Sequence, residues 1–316
     1  MTRQFYLAPI RGITDQSFRN AYARHFPGFH RAIAPFISVG QGRRVRPSVL
    51  SDLLPDTETG IPTVPQLLTN SATELVQVAS ALFDMGHSSV NWNLGCPFPT
   101  VTNKKKGAGL LPHPEMIEEC LDKSVPRLQG NLSIKIRLGF DRADEIARLL
   151  PIFNRYPLEE IVIHPRTAIQ MYSGEVDLDG FASCLDISKH RLVYNGDITS
   201  ATGFAELEKR FPTIRHWMIG REALHDPFLI RAIDSAPPRP LPERLELLQQ
   251  FHDELFEIYS AKFSGPAHLL DRMKAVWAYL ISCFDNDGKI LKKIRKTTSV
   301  ARYQSIVRDV FLGAHG

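Results

Sequence analysis

A chain of 316 residues, 43% hydrophobic and 23% charged, suits one large enzyme domain with a small appendage and excludes disordered, fibrous and disulfide-scaffold classes. Its formal charge of +4 is too mild to declare a nucleic-acid binder, so where the cations fall matters more than their sum. No apolar run approaches the ~20 residues of a membrane span.

The start, Met1-Thr2-Arg3-Gln4, runs into a strand-like segment with no signal-peptide core. Cys96, Cys120, Cys184 and Cys283 are far apart with no CxxC pair, which points to a reducing cytoplasm rather than a disulfide framework or zinc site. The expected location is therefore cytoplasmic, without a membrane partner. A monomer is the default state.

In chain order, β-rich runs predict strands at 5–9, 31–37, 64–68, 89–93, 133–137, 160–164, 192–195 and 217–220. Amphipathic stretches at 72–85, 114–123, 143–151 and 201–210 predict helices between them. Alternation of this kind implies parallel strands with right-handed crossovers, and eight units can close a (β/α)8 TIM barrel. An open doubly wound sheet is the other architecture with this rhythm, but no GxGxxG follows the first strand. Four prolines within 235–242 predict a stiff linker after a barrel domain spanning 1–234. Beyond it, Leu245, Leu248, Phe251, Leu255 and Ile258 recur at helical spacing, and 269–284 and 299–311 read alike. Residues 243–316 are thus expected to form a small all-helical domain.

The strand ends carry more polar groups than a bare core needs. Cys96 follows the run Asn91-Trp92-Asn93-Leu94 and lies between Gly95 and Pro97, which force a sharp exit. An isolated cysteine is ordinarily a small buried hydrophobe, but a thiol at a strand's C-terminal lip stands where such folds put chemistry. Ala8-Pro9-Ile10 offers a backbone-rich edge for a flat ligand, and Gln66 an amide that donates and accepts. Lys135 and Arg137 share one face of a strand, a costly pair unless they meet an anion or an electron-rich ring. His164, the turn Asn195-Gly196-Asp197 and the turn Gly220-Arg221 end later strands. The last two fall where barrels bind phosphate. Any one of these residues has an ordinary structural role; together they point to a phosphorylated, aromatic, electron-carrying cofactor such as FMN.

With these motifs the chain resembles the tRNA-dihydrouridine synthases. The likeness rests on Ala8-Pro9-Ile10-Arg11-Gly12-Ile13-Thr14-Asp15, Asn93-Leu94-Gly95-Cys96-Pro97, Gly107-Ala108-Gly109, Lys135-Ile136-Arg137-Leu138-Gly139, His164-Pro165-Arg166-Thr167, Asn195-Gly196-Asp197-Ile198 and Gly220-Arg221, in that order. Ile10 stands where the family usually has Met and Pro165 where Gly is commoner, and Lys104-Lys105-Lys106 makes the loop after Cys96 unusually basic. The resemblance implies an FMN barrel with a helical tail that reduces uracil in tRNA. NADPH would be the reductant, although no motif separates it from NADH. Cys96 would be the proton donor to C5, since a thiol with an ordinary pKa near 8.5 holds its proton at neutral pH. Asn93, Arg137 and Tyr172 would hold the uracil edge, with Lys135 and His164 nearer the flavin.

A base stacked in folded RNA would have to flip out to react, which calls for a basic surface around the pocket. Arg43-Arg44-x-Arg46, Lys104-Lys105-Lys106 and the segment 289–296, with Lys292, Lys293, Arg295 and Lys296, are the candidates. Two other functions share part of this pattern: an FMN oxidoreductase acting on a free small molecule, and a degenerate synthase that only binds RNA.

Overall fold

The computed structural model describes residues 2–38, 50–54, 60–284 and 287–314. Nine parallel strands run in the order β3-β2-β1-β9-β8-β7-β6-β5-β4. They are β1 Gln4–Leu7, β2 Arg31–Ile33, β3 Thr63–Val64, β4 Gln66–Leu67, β5 Ser89–Leu94, β6 Asn131–Gly139, β7 Leu158–Thr167, β8 Leu192–Tyr194 and β9 His216–Ile219. The two ends of that order, β3 and β4, are one chain segment interrupted at Pro65, so the sheet closes on itself as a barrel. Proline has no N–H for the ladder, which is why the single strand expected at 64–68 becomes two short ones. β3 pairs with β2 and β4 with β5. The strand expected at 31–37 stops at Ile33, two residues before Pro35, and only an isolated bridge from Ile37 to Leu67 continues it.

Alternation along the strands sorts the side chains. Val90, Trp92 and Leu94 of β5 join the main core between barrel and helices, while Asn91 and Asn93 point the other way, into the lumen. The lumen has its own small apolar cluster of Tyr6, Ala8, Ile33, Val64, Val162, Val193 and Met218. Its floor is ionic: Glu160, 1% exposed, accepts from Tyr6 Oη at 3.1 Å and pairs with Arg31 at 3.3 Å and Arg191 at 3.6 Å. Burial pushes the Glu160 carboxyl up and the two guanidinium groups pull it back. A paired floor of this kind serves stability and leaves the opposite, C-terminal face for chemistry.

After β9 the chain becomes helical. The first long helix is Leu241–Lys262, with Pro242 in its first turn, where a missing N–H costs nothing. Its buried stripe includes Leu245, Leu248, Phe251, Leu255 and Tyr259. Phe251 packs edge-on to Phe18, Tyr22 and Phe26, with ring centroids 5.5, 6.0 and 5.3 Å away. Helices Pro266–Leu280, Asp287–Lys296 and Val300–Ala314 follow. Asp287–Lys296, which contains the basic segment 289–296, forms because Ile290 and Ile294 lie one turn apart on its inner side, Ile294 being fully buried.

The tail is fastened to the barrel at Asp15. This residue caps the helix Gln16–His25 by accepting from Phe18 N at 3.0 Å, and it also accepts from Tyr259 Oη at 2.7 Å. Arg272 completes the joint with a 3.3 Å ion pair to Asp15 and a 2.6 Å hydrogen bond to the Gly12 carbonyl. Among the described residues no helix is long and apolar enough to cross a membrane.

Candidate active site

The loops after the strands enclose a cavity of about 760 Å³. Ala8, Pro9, Ile10, Gln66, Asn93, Cys96, Lys135, Arg137, His164, Tyr172, Asn195, Gly196, Asp197, Gly220 and Arg221 all line it. The structure thus brings together every candidate from the strand ends. Lys292, Lys293, Arg295 and Lys296 lie elsewhere, on the exposed side of Asp287–Lys296. Of the other two basic segments, Arg43, Arg44 and Arg46 lie outside the described residues. In the second, Lys104 and Lys105 are exposed while Lys106 is tied to Glu74 at 3.4 Å.

An amide network shapes the loop that carries Cys96. Asn93 Oδ1 accepts from the backbone N–H of Gly95 at 3.0 Å and of Cys96 at 2.9 Å, a side-chain turn that pins the thiol's backbone. Asn93 Nδ2 donates to Gln66 Oε1, and Gln66 Nε2 to Asn91 Oδ1, both at 2.8 Å. Three of Asn93's four hydrogen-bonding positions are thereby occupied, leaving one N–H for a ligand. Gly107 closes the loop from the far side at φ 57°, where a Cβ would lie 2.8 Å from the Cys96 carbonyl oxygen. Glycine is required there. Cys96 is 8% exposed, and burial pushes its thiol up. The Phe98 backbone N–H, Arg11, Arg137 and Lys135 pull the other way. The net direction keeps the thiol protonated at neutral pH.

Cations dominate the remaining polar walls. Burial and the neighbouring Arg137 bring the Lys135 ammonium down to about 7, against a smaller upward pull from Cys96. Arg137, 2% exposed and also lowered by burial, to about 10, donates from Nε to the Gly95 carbonyl at 3.0 Å and from Nη1 to the Thr167 carbonyl at 2.7 Å. Tyr172 lies between two guanidinium groups, with Arg137 5.4 Å and Arg221 4.5 Å from its ring centre. Burial, then the surrounding Arg and Lys charges, hold His164 well below its ordinary pKa, so the ring is neutral. Its Nε2 lies 3.2 Å from Arg166 Nη1, which can only donate, so the imidazole proton sits on Nδ1.

Several residues in or behind this wall were not singled out from the sequence. Arg166 has its charge on Asp197, at 2.8 and 2.5 Å, and holds the Tyr172 loop through the Gly174 carbonyl at 2.6 Å. Asp197 sits at φ 38° beside Gly196, where a Cβ would lie 2.9 Å from Val176 Cγ1. The motif His164-Pro165-Arg166-Thr167 was visible, but the partner of Arg166 lies 31 residues away. Tyr279 enters the cavity from the helical tail and packs at a tilt against His225, with ring centroids 5.3 Å apart. No spacing in the sequence could have placed it there.

A closed parallel barrel with a buried thiol, an amide network and a ring of cations at its C-terminal face is the architecture of a barrel oxidoreductase. The model of the family described as "Dihydrouridine synthase (Dus)" matches residues 6–292. This chain belongs to the dihydrouridine synthase family. A "Probable tRNA-dihydrouridine synthase" of Rhodobacter capsulatus is 30% identical over 260 residues, covering 82% of this chain and 79% of that protein. A "tRNA-dihydrouridine synthase B" of Yersinia pestis is 28% identical over 299 residues, covering 91% and 89%. Among solved structures, an old yellow enzyme homologue from Zymomonas mobilis superposes with TM-score 0.55 at 10% identity, over 75% of this chain and 90% of that one. Morphinone reductase gives 0.52 at 12% identity, over 76% and 87%. Those two likenesses establish the fold alone.

Proposed function

We propose that this chain reduces the C5=C6 bond of a uridine in tRNA, with FMN as its flavin and NADPH as the reductant. The observation that carries the reading is one protonated thiol, Cys96, in a cavity whose other charged walls are mainly cationic, in a member of the dihydrouridine synthase family. The donor set suits FMN. Lys135 is a half-buried amine with no carboxylate acting on it among the described residues, and Arg221 stands at the turn where barrels bind phosphate. Ala8, Pro9, Ile10, Gln66, Lys135 and His164 would meet the flavin, and Asn195, Gly196, Asp197, Gly220 and Arg221 its phosphate arm. When bound, FMN supplies the hydride that C6 of the uracil receives.

The chain's own residues do the rest. The free N–H of Asn93 and the second Nη of Arg137 face uracil carbonyls, and Tyr172 covers the ring. Cys96 gives its proton to C5. The resulting thiolate is favoured by Arg11, Arg137 and Lys135, the same charges that oppose burial at the resting thiol, and water restores the proton. The helical tail, 243–316, acts as the RNA-binding domain of a cytoplasmic monomer, joined to the barrel domain 1–234 through the proline-rich stretch 235–242. Among the described residues no acid pairs with Lys292, Lys293, Arg295 or Lys296, which leaves their charge for phosphates.

Nucleoside mass spectrometry of tRNA treated with the purified enzyme and NADPH tests the reading. A gain of two daltons at one mapped uridine supports it; unmodified tRNA with active flavin turnover on a free enone sends the assignment to small-molecule chemistry. Replacing Lys292, Lys293, Arg295 and Lys296 together with Ala should weaken tRNA binding and lower the slope of log K against log salt by about 3, at roughly 0.7 to 0.9 per phosphate contact. An unchanged slope removes this helix from the RNA surface.

A further inference from the structure

Phe98 is the aromatic residue nearest in sequence to Cys96, and it is 44% exposed while lining the same cavity. Burying an aromatic ring is strongly favourable, so a half-exposed one beside a reaction centre stands out. Its backbone is held on both sides, by Pro97 and Pro99. A residue before proline is driven to extended conformation, and Phe98 sits at φ −66° and ψ 136° at the start of the helix Pro99–Thr102. Among the described residues no other ring or cation packs on it, in contrast to Tyr172 between its two guanidinium groups. Lys104 and Lys105, exposed and without an acidic partner among the described residues, follow within the same loop.

A rigid, unpartnered ring with two exposed cations six and seven residues on is complementary to a nucleotide: a flat base for the ring and phosphates for the ammonium groups. We propose that Phe98 stacks on a base flanking the reactive uridine, with Lys104 and Lys105 on the adjoining phosphates, so that it holds the RNA strand open once the target base has turned into the cavity. Phe98 is a positioning residue in this role: its ring acts through the RNA strand, while its backbone N–H, which faces the Cys96 thiol, is the same in every variant. The inference rests on the tRNA reading above.

The test measures single-turnover dihydrouridine formation by pre-reduced enzyme on intact tRNA and on tRNAs made abasic immediately 5′ or 3′ of the target. Phe98→Ala should weaken the half-saturating RNA concentration about 5- to 150-fold, the range of one base–aromatic stack. Phe98→Trp should restore it, and flavin content and the rate of flavin reduction by NADPH should not change. On one of the two abasic tRNAs the wild type should show the same loss, and Phe98→Ala should add nothing further. Additive losses on both abasic tRNAs overturn the stacking proposal while leaving the activity standing. Slowed flavin reduction in Phe98→Ala also overturns it, by placing the ring on the nicotinamide. A wild type that forms no dihydrouridine in intact tRNA sinks the parent reading and this one together.

Discussion

Replacing Cys96 with Ala is expected to cut dihydrouridine formation by about 10²- to 10⁴-fold, the usual worth of a positioned general acid, while flavin binding and flavin reduction by NADPH stay unchanged. The separation follows from geometry. The Cys96 backbone is held by Asn93 Oδ1 and packed against Gly107, neither of which depends on the sulfur. The thiol itself sits among Arg11, Arg137 and Lys135, which have other anchors or a cofactor to meet. Because burial raises the thiol pKa, loss of the proton to be donated should lower the wild-type rate only in alkali, and that alkaline limb should be missing from the residual rate of Cys96→Ala. Cys96→Ser should be nearly as slow as Cys96→Ala, since a hydroxyl fills the space but gives up its proton far less readily. Steady-state rates with mapped nucleoside analysis decide it: activity within a few-fold of wild type would place the acid elsewhere.

The contrast between what the sequence displays and what it hides has a physical basis. Strand-end residues are legible because a parallel barrel with period-two strands must send them to one face; once eight strand–helix units are counted, Lys135, Arg137, His164 and the turn at Gly220 converge by topology. Strand limits are less so. Pro65 splits one strand in two and Pro35 shortens another, effects of ladder hydrogen bonds that periodicity does not register. Partners across long sequence separations are hidden altogether. Arg166 meets Asp197, and Tyr279 reaches the cavity from a helix after the barrel, because tertiary packing alone brings those segments together. The opening motif shows both sides. Ala8, Pro9 and Ile10 line the cavity as their strand-end position implies, whereas Asp15, five residues past Ile10, faces the tail instead.

Asp15→Ala is expected to destabilise the protein by about 3–5 kcal/mol, the cost of leaving a buried pair with one partner. Four interactions end on that carboxylate: the helix cap at Phe18 N, the hydroxyl of fully buried Tyr259, and the ion pairs with Arg272 and, at 3.8 Å, Lys262. The cap alone is worth about 1 kcal/mol, so most of the loss belongs to the joint between tail and barrel. Asp15→Asn separates the two parts. Its amide oxygen can still cap and accept from Tyr259, and only the charge facing Arg272 and Lys262 is removed, so it should cost less than half as much. Chemical denaturation of Asp15→Ala, Tyr259→Phe and the double variant gives the coupling, which should exceed about 1 kcal/mol for residues in direct contact. Additive losses would mean that Tyr259 and Asp15 stabilise separate elements. Strong coupling with loss of tRNA binding but retained flavin would tie the RNA surface to this joint, because the tail, Tyr279 included, would then be carried out of register while the strand-end walls of the cavity keep their places.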